Sequence, residues 1–473
     1  MSDPFVGVQL GSHSVFDEGA EHCLDILRET ADVETVFVYS HTYQNYARGR
    51  NADAIAPDHG VAVRDPQQRQ LTNVWTTHHD ERFGGTSLRH HPLPGREEYA
   101  GRDVFAELIG PARERGMKVY ARILEGHGPE LTRAIPNWVK VLTVDAYGRL
   151  QHLPCWNNPE YRNFWISTVE DLFATHELDG LQWGSERVGP LSNLLMKQPH
   201  VSNAPVCFCD HCVARGRHAG IDVERARAGF RELHEMISGL DDAAAPSDGV
   251  LVTVLRKLLM NPEILQWQQV WRAGRDEVAQ RIYGAVKALR PEAEVGLHID
   301  HQGTSWDVIA RAETPYEDMA NYADFIKPIV YHDIAGPRIR RWFLDRVHGG
   351  IFQELPLPML LELYYRVFGY DPETEPSLDE MDNTGFSTEY VYRETKRTVQ
   401  GVKGKAKVYA GVGFDVPWKS GPWPADPDTV TQATRRAFDA GADGIVISRE
   451  YDEMRLDNLR AVGKAVREVK GRG

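Results

Sequence analysis

Eight short apolar runs, each with a polar loop and a segment of helical periodicity after it, constrain this chain more than any other feature. They are FVGVQL from Phe5, TVFVYS from Thr35, KVYARIL from Lys118, DGLQWG from Asp179, EVGLHI from Glu294, FIKPIVY from Phe325, KVYAGVGF from Lys407 and GIVIS from Gly444. All are rich in β-branched or aromatic residues, as strands buried on both faces should be. Alternation of this kind predicts a parallel sheet, and eight units predict an α/β fold closed as a (β/α)8 TIM barrel. Neither a Gly-rich dinucleotide fingerprint nor a phosphate-binding loop follows any of the runs, which removes the commonest other reason for such alternation.

The intervening helices carry recognisable ends. In DPDTVTQATRRAFDAGADG, Asp426 is placed to cap, Pro427 to occupy the first turn and Gly441 to stop the helix. DVFAELIGPARERG and PEYRNFWISTVEDLFATH read the same way, before the third and fourth strands. Residues 1–473 are therefore read as one barrel domain, with long insertions after strands 2 and 4. The first runs from about Tyr43 to Arg102 and contains Trp75, His78, His79, His90 and His91; the second, 187–291, holds a cysteine run and several helices.

A formal net charge of −14 argues against nucleic acid or an anionic membrane as partner, because those need a basic face. No segment reaches the roughly 18 apolar residues of a membrane span, and the start lacks a basic segment leading into an apolar one. The expectation is a cytoplasmic protein acting on a polar small molecule.

In such a barrel, chemistry belongs at the C-terminal ends of the strands. The polar residues there are Glu125 after the third strand, Trp183, Glu186 and Arg187 at the fourth, and His298, Asp300 and His301 at the fifth. Tyr331, His332 and Asp333 follow the sixth, Asp415 the seventh, and Arg449, Glu450 and Tyr451 the eighth. Carboxylates on different strands facing one cavity suit glycoside cleavage, in which one protonates the leaving oxygen and the other attacks the anomeric carbon or activates water. Glu186 is the expected proton donor, with Glu450 or Asp415 as nucleophile or base. Arg187, His298, Asp300, Tyr331, His332 and Arg449 are the expected substrate contacts, and Trp183 is expected to shield Glu186 from water. Trp75, Trp156, Trp306, Trp418 and Trp423 offer faces for sugar stacking, although packing is the ordinary role of any single tryptophan. Asp415 has an ordinary role too, fixing the turn before Pro417. Two other readings stay open: a metal-dependent lyase or isomerase built on His298, Asp300, His332 and Asp333, and a carbohydrate-binding barrel without catalysis.

Of five cysteines, three fall within PVCFCDHC as Cys207, Cys209 and Cys212. Three sulfurs with a fourth ligand make a closed tetrahedral zinc site. Cys155, in HLPCWNN, precedes the fourth strand, and Cys23 lies on the first helix as a core residue. One cysteine, then a glutamate ending the fourth strand, then Cys-x-Cys-x-x-Cys resembles the β-galactosidases of glycoside hydrolase family 42. That resemblance implies a structural zinc held by Cys155, Cys207, Cys209 and Cys212, Glu186 as acid/base, and self-association. It is local, covering roughly 155–212: Ser185 stands where the family has asparagine before the acid/base, and the seventh strand offers Asp415 but no glutamate. DGLQWGSERVGPL and GIVISREYDEMRLDNL also resemble segments of uncharacterised bacterial barrels classed as glycosidases.

Overall fold

The computed structural model describes residues 3–43, 58–61, 73–91, 99–125, 131–196, 203–240, 246–416 and 425–471. Eight strands, all parallel to their neighbours, close into a barrel in the order β1-β8-β7-β6-β5-β4-β3-β2. They are β1 (Phe5–Leu10), β2 (Thr35–Tyr39), β3 (Lys118–Leu124), β4 (Gly180–Gly184), β5 (Glu294–Ile299), β6 (Phe325–Pro328), β7 (Lys407–Gly413) and β8 (Gly444–Ser448). Every run identified in the sequence is one of these strands. Closure is carried by β1, which pairs with β2 on one side and β8 on the other.

Strand periodicity decides what fills the barrel, because alternate side chains point inward. At the N-terminal end Phe5, Phe37, Tyr120, Phe325 and Tyr409 form an aromatic plug, with Phe5 stacked on Tyr409 at 4.0 Å between ring centres. Gly296 permits this plug, since a Cβ there would lie 2.0 Å from the Phe325 ring. Two to four residues further along five of the strands the interior turns polar: Gln9, Arg122, Gln182, His298 and Lys327 are all buried. Intervening residues such as Val6, Val8, Val36 and Val38 face the helices and join the large outer core.

The helix signals hold. Pro427–Asp439 is capped by Asp426, whose carboxylate accepts from the Thr429 amide, and Gly441 has φ +93°. Val104–Glu114 is capped by Asp103, and Pro159–Thr175 by Asn158. After β4 come Asp210–His218, Val223–Ser238, Val250–Met260 and the long Glu263–Leu289. A third long connection, which the sequence reading passes over, separates β6 from β7 and carries the helical stretches Ala335–Ile339, Arg340–Leu344, Asp345–His348, Leu357–Phe368 and Thr388–Val402. Among the described residues no helix is long and apolar enough to cross a membrane.

Candidate active site

The C-terminal mouth of the barrel opens into a cavity of about 450 Å³. Inward residues of β1, β3 and β5 form its floor, and the segments after β4, β5, β6 and β8 form its walls. Glu186, Asp300 and Glu450 bring carboxyl groups to it from three different strands. A cavity of similar volume, about 470 Å³, lies among the outer helices around Tyr392 and Arg393, away from any strand end. Its lining includes Asp371, Glu375 and Glu389, and its Arg311 and Arg397 are both paired with Glu394, but none of these residues comes from a barrel strand.

Glu450 is more enclosed than Glu186. One oxygen accepts from Arg122 Nη1 at 2.9 Å, and the other is buried without a hydrogen-bond partner. Burial raises its pKa against the lowering pull of Arg122. Its position is fixed by the preceding residue: Arg449 adopts φ +73°, unusual for a branched-free side chain outside glycine, and its guanidinium is held on Glu453 by bonds of 3.0 and 2.9 Å.

Glu186 is partly exposed to the cavity, and His298 Nε2 lies 3.6 Å from its Oε1. That separation is too long for a hydrogen bond. Burial pushes the His298 pKa down to about 4, so the ring is neutral at pH 7 and does not form an ion pair there. Asp300 moves the other way: burial and the neighbouring Glu186 charge push it up to about 7. Below them Lys327 projects from β6, fully buried, with its Nζ lacking any hydrogen-bond partner. Burial and the like charge of Arg122 hold its pKa well below the usual lysine value. Gly411 makes room for it, since a Cβ there would lie 2.4 Å from Lys327 Cε.

Several expected contacts lie elsewhere. Asp415 is not at this cavity: its carboxylate accepts from Asn458 Nδ2 at 2.9 Å, from Arg455 N at 3.0 Å and from Arg455 Nε at 3.2 Å, and it is fully buried. It ties the end of β7 to the start of the last helix; Pro417, before which it was expected to fix a turn, lies outside the described residues. Truncating it to alanine should cost about 3–5 kcal/mol, the usual penalty for stranding a buried charge network, and thermal unfolding would read this as a large fall in Tm. Trp183 points outward and packs edge-on against Trp165 at 5.4 Å, so it does not shield Glu186. Arg187 reaches the cavity wall, but its guanidinium is bound to Glu125 and to the Pro154 carbonyl and lies over Trp156. Glu125 is thereby absorbed as the partner of Arg187, Tyr161 and Ser185.

His298, Asp300 and Tyr331 do line the cavity, whereas His332 and Asp333 do not. His332 is buried, with a pKa lowered to about 4, and Asp333 is raised to about 8 by burial and by Asp415. The four residues of the metal-dependent alternative therefore do not converge. Among the described residues the only set of three or more His, Cys, Asp or Glu ligand atoms close enough for one metal is the cysteine cluster. Trp306 lines the cavity and stacks on His301 at 4.6 Å, while Trp75 and Trp156 are core residues. Trp418 and Trp423 lie outside the described residues.

The raised pKa of Asp300 has a consequence for stability. A carboxyl that titrates higher in the folded chain than in the unfolded one carries no penalty at pH 3, and a growing one as pH rises from about 4 through 7. Asp300→Asn should leave Tm unchanged near pH 3 and raise it by several degrees at pH 8, a gain of about 2–4 kcal/mol. Melting curves across this range check it.

The cysteine cluster sits beside the cavity wall. Cys155, Cys207, Cys209 and Cys212 bring their sulfurs within 4.8 Å of one another, with Cys155 Sγ 3.4 Å from Cys212 Sγ and 3.5 Å from Cys209 Sγ. A tetrahedron with zinc–sulfur bonds of about 2.3 Å has edges of about 3.8 Å, so the set is dimensioned for a metal and not for a disulfide. Amide donors face the sulfurs, among them Asn157 Nδ2 to Cys212 at 3.3 Å and the Val144 N–H to Cys207 at 3.5 Å, as metal-bound thiolates require. Phe208 stacks on Trp267 of the long helix at 4.7 Å, anchoring the cluster to the barrel's outer layer.

Sequence reasoning found the rim and missed the floor and one wall. Arg122 and Lys327 sit inside apolar strand runs, and their signal was a charged residue at an inward-facing position of a buried strand. Arg338, Trp342 and Arg346, on the connection after β6, also line the cavity.

No family model and no curated protein matches the sequence. Among solved structures, the glycoside hydrolase domain of PgaB (BpsB) from Bordetella bronchiseptica aligns at TM-score 0.54 and 11% identity, over 99% of this chain and 98% of that one. The β-galactosidase from the psychrophilic Marinomonas ef1 aligns at TM-score 0.53 and 11% identity, and that from the haloarchaeon Halorubrum lacusprofundi at 0.51 and 12%; each alignment covers 98% of this chain. The chain spans about three fifths of those galactosidase chains, 59% and 58%. At these identities the likeness is one of fold: an eight-stranded parallel barrel that solved glycoside hydrolases share.

Proposed function

We propose that this chain is a glycoside hydrolase whose reaction takes place at the barrel mouth, with Glu186 as proton donor and Glu450 as nucleophile or base. The observation that carries the reading is that glutamates from the ends of β4 and β8 line one cavity of a size suited to a sugar. In this scheme Glu186 protonates the glycosidic oxygen as the bond to the anomeric carbon breaks. Glu450 meets the positive charge developing on that carbon, either by bonding to it or by deprotonating a water. Arg122 keeps one Glu450 oxygen occupied and aims the unpartnered one at the substrate. His298 and Tyr331 are the proposed hydroxyl contacts, and Trp306 a hydrophobic wall.

A second assignment of the proton donor is favoured by one observation. Asp300 lines the cavity and is pushed up to about 7, so a substantial share of it carries a proton at neutral pH, as a general acid needs. Turnover of aryl glycosides by Glu186→Gln and Asp300→Asn separates the two, since only loss of the true donor spares substrates whose leaving groups need no proton. Hydrolysis by wild type of no member of a broad aryl-glycoside panel, with sugar binding retained, would instead support a binding barrel without catalysis.

The cysteine cluster is proposed to hold a structural zinc. Four thiolates close the coordination sphere, leaving no position for substrate, so its contribution is to pin Cys155 and the segment after β4.

A further inference from the structure

Five arginines line the cavity, and three of them already face a carboxylate: Arg122 on Glu450, Arg187 on Glu125 and Arg449 on Glu453. Arg338 and Arg346 face none within ion-pair distance among the described residues. With Trp342 they follow one another at four-residue intervals along the helical stretch after β6, which places all three on one stripe, and all three line the cavity. Arg338 is buried and oriented: its Nη1 donates to His301 Nε2 at 2.7 Å, its Nε has no partner, and its guanidinium lies 5.3 Å from the Trp342 ring centre. His301 can accept that bond because burial and the Arg338 charge keep its ring neutral. A guanidinium held by one nitrogen presents its remaining edge to a planar or tetrahedral oxyanion.

We propose that the site recognises a carbohydrate bearing an oxyanion, a carboxylate or a sulfate ester, which Arg338 and Arg346 bind while Trp342 stacks on the sugar. This rests on the glycoside hydrolase reading and names its substrate class. A buried, unpaired guanidinium is costly to maintain, and an anionic ligand supplies the missing partner. A neutral sugar would leave both arginines without an oxyanion within ion-pair distance, with only the longer-range pull of Glu186 and Asp333 on Arg338 and of Asp307 on Arg346.

The test is calorimetric binding to full-length Glu186→Gln protein, which separates recognition from turnover. The probes are methyl glucuronide and galacturonide, glucose and galactose 6-sulfate, and the uncharged parent of each. At least one anionic sugar should bind about tenfold or more tightly than its parent, uronates marking a carboxylate site and sulfated sugars a sulfate site. In folded Arg338→Gln and Arg346→Gln proteins that preference should fall to about twofold. Equal binding of charged and uncharged sugars, or a preference that survives both substitutions, overturns the proposal. Hydrolysis of neutral aryl glycosides without any anion preference overturns it and leaves the hydrolase reading standing. Anion-dependent binding without hydrolysis of any charged or neutral glycoside supports it and removes that reading.

Discussion

Removing the metal from the cysteine cluster should lower both Tm and turnover, and the two losses should arise from one connection. Cys155 directly follows Pro154, whose carbonyl accepts from Arg187 Nη1. The same guanidinium grips Glu125 next to Ser185 and Glu186, so the cluster, the β3 end and the β4 end are joined through three residues. Without the metal, four clustered sulfurs, three of them buried, lose their shared charge partner, and the Cys207–Cys212 segment loses its attachment to Cys155. A cost of about 3–5 kcal/mol is expected, by analogy with breaking a buried charged cluster. At about 1 °C per kcal/mol for a chain of this length this corresponds to a Tm fall of about 3–5 °C. Elemental analysis should give one zinc per chain, and chelation or Cys209→Ser should depress turnover while Glu186 itself is intact. Metal-free protein as purified, or a Cys209→Ser variant with unchanged Tm and turnover, contradicts this account.

Glu186→Gln should reduce turnover of glycosides with poor leaving groups by about 10²–10⁴-fold, the usual contribution of a positioned general acid. Substrates with strongly acidic phenol leaving groups should lose far less, because their departing oxygen needs little protonation. Glutamine fills the same space, and Glu186 is partly exposed, so Tm should hold within a degree or two. If Asp300 is the donor, this leaving-group dependence passes to Asp300→Asn. A uniform loss across all leaving groups in Glu186→Gln would assign the residue to positioning the sugar.

The barrel was legible because its determinants are local and repeated. Each strand is a short, mainly apolar run, and caps such as Asp426 and Asp103 are short-range signals that tertiary contacts did not override. The rim carboxylates were legible for the same reason, since a residue just past a strand has only one end of the barrel to occupy. Which of them meet was not legible. Asp415 and Glu450 are equivalent by position along their strands, yet Asp415 turns into the last helix because Asn458 and Arg455 wait for it there. Trp183 follows the inward Gln182, so strand parity alone sends it outward; that signal was present and outweighed by its closeness to Glu186. Arg338 and Arg346 are beyond such reasoning, because their place in the cavity depends on how a long connection folds back over the mouth.

The most direct test of the central claim is parallel turnover by wild type, Glu186→Gln, Glu450→Gln and the double variant, on a panel of neutral and uronic aryl glycosides, with Tm measured for each. The account predicts that wild type hydrolyses at least one substrate and that each single variant loses about 100-fold or more while folded. The double variant should fall less than the product of the singles, as residues acting in one transition state do. Wild-type rates in either folded single variant would contradict it.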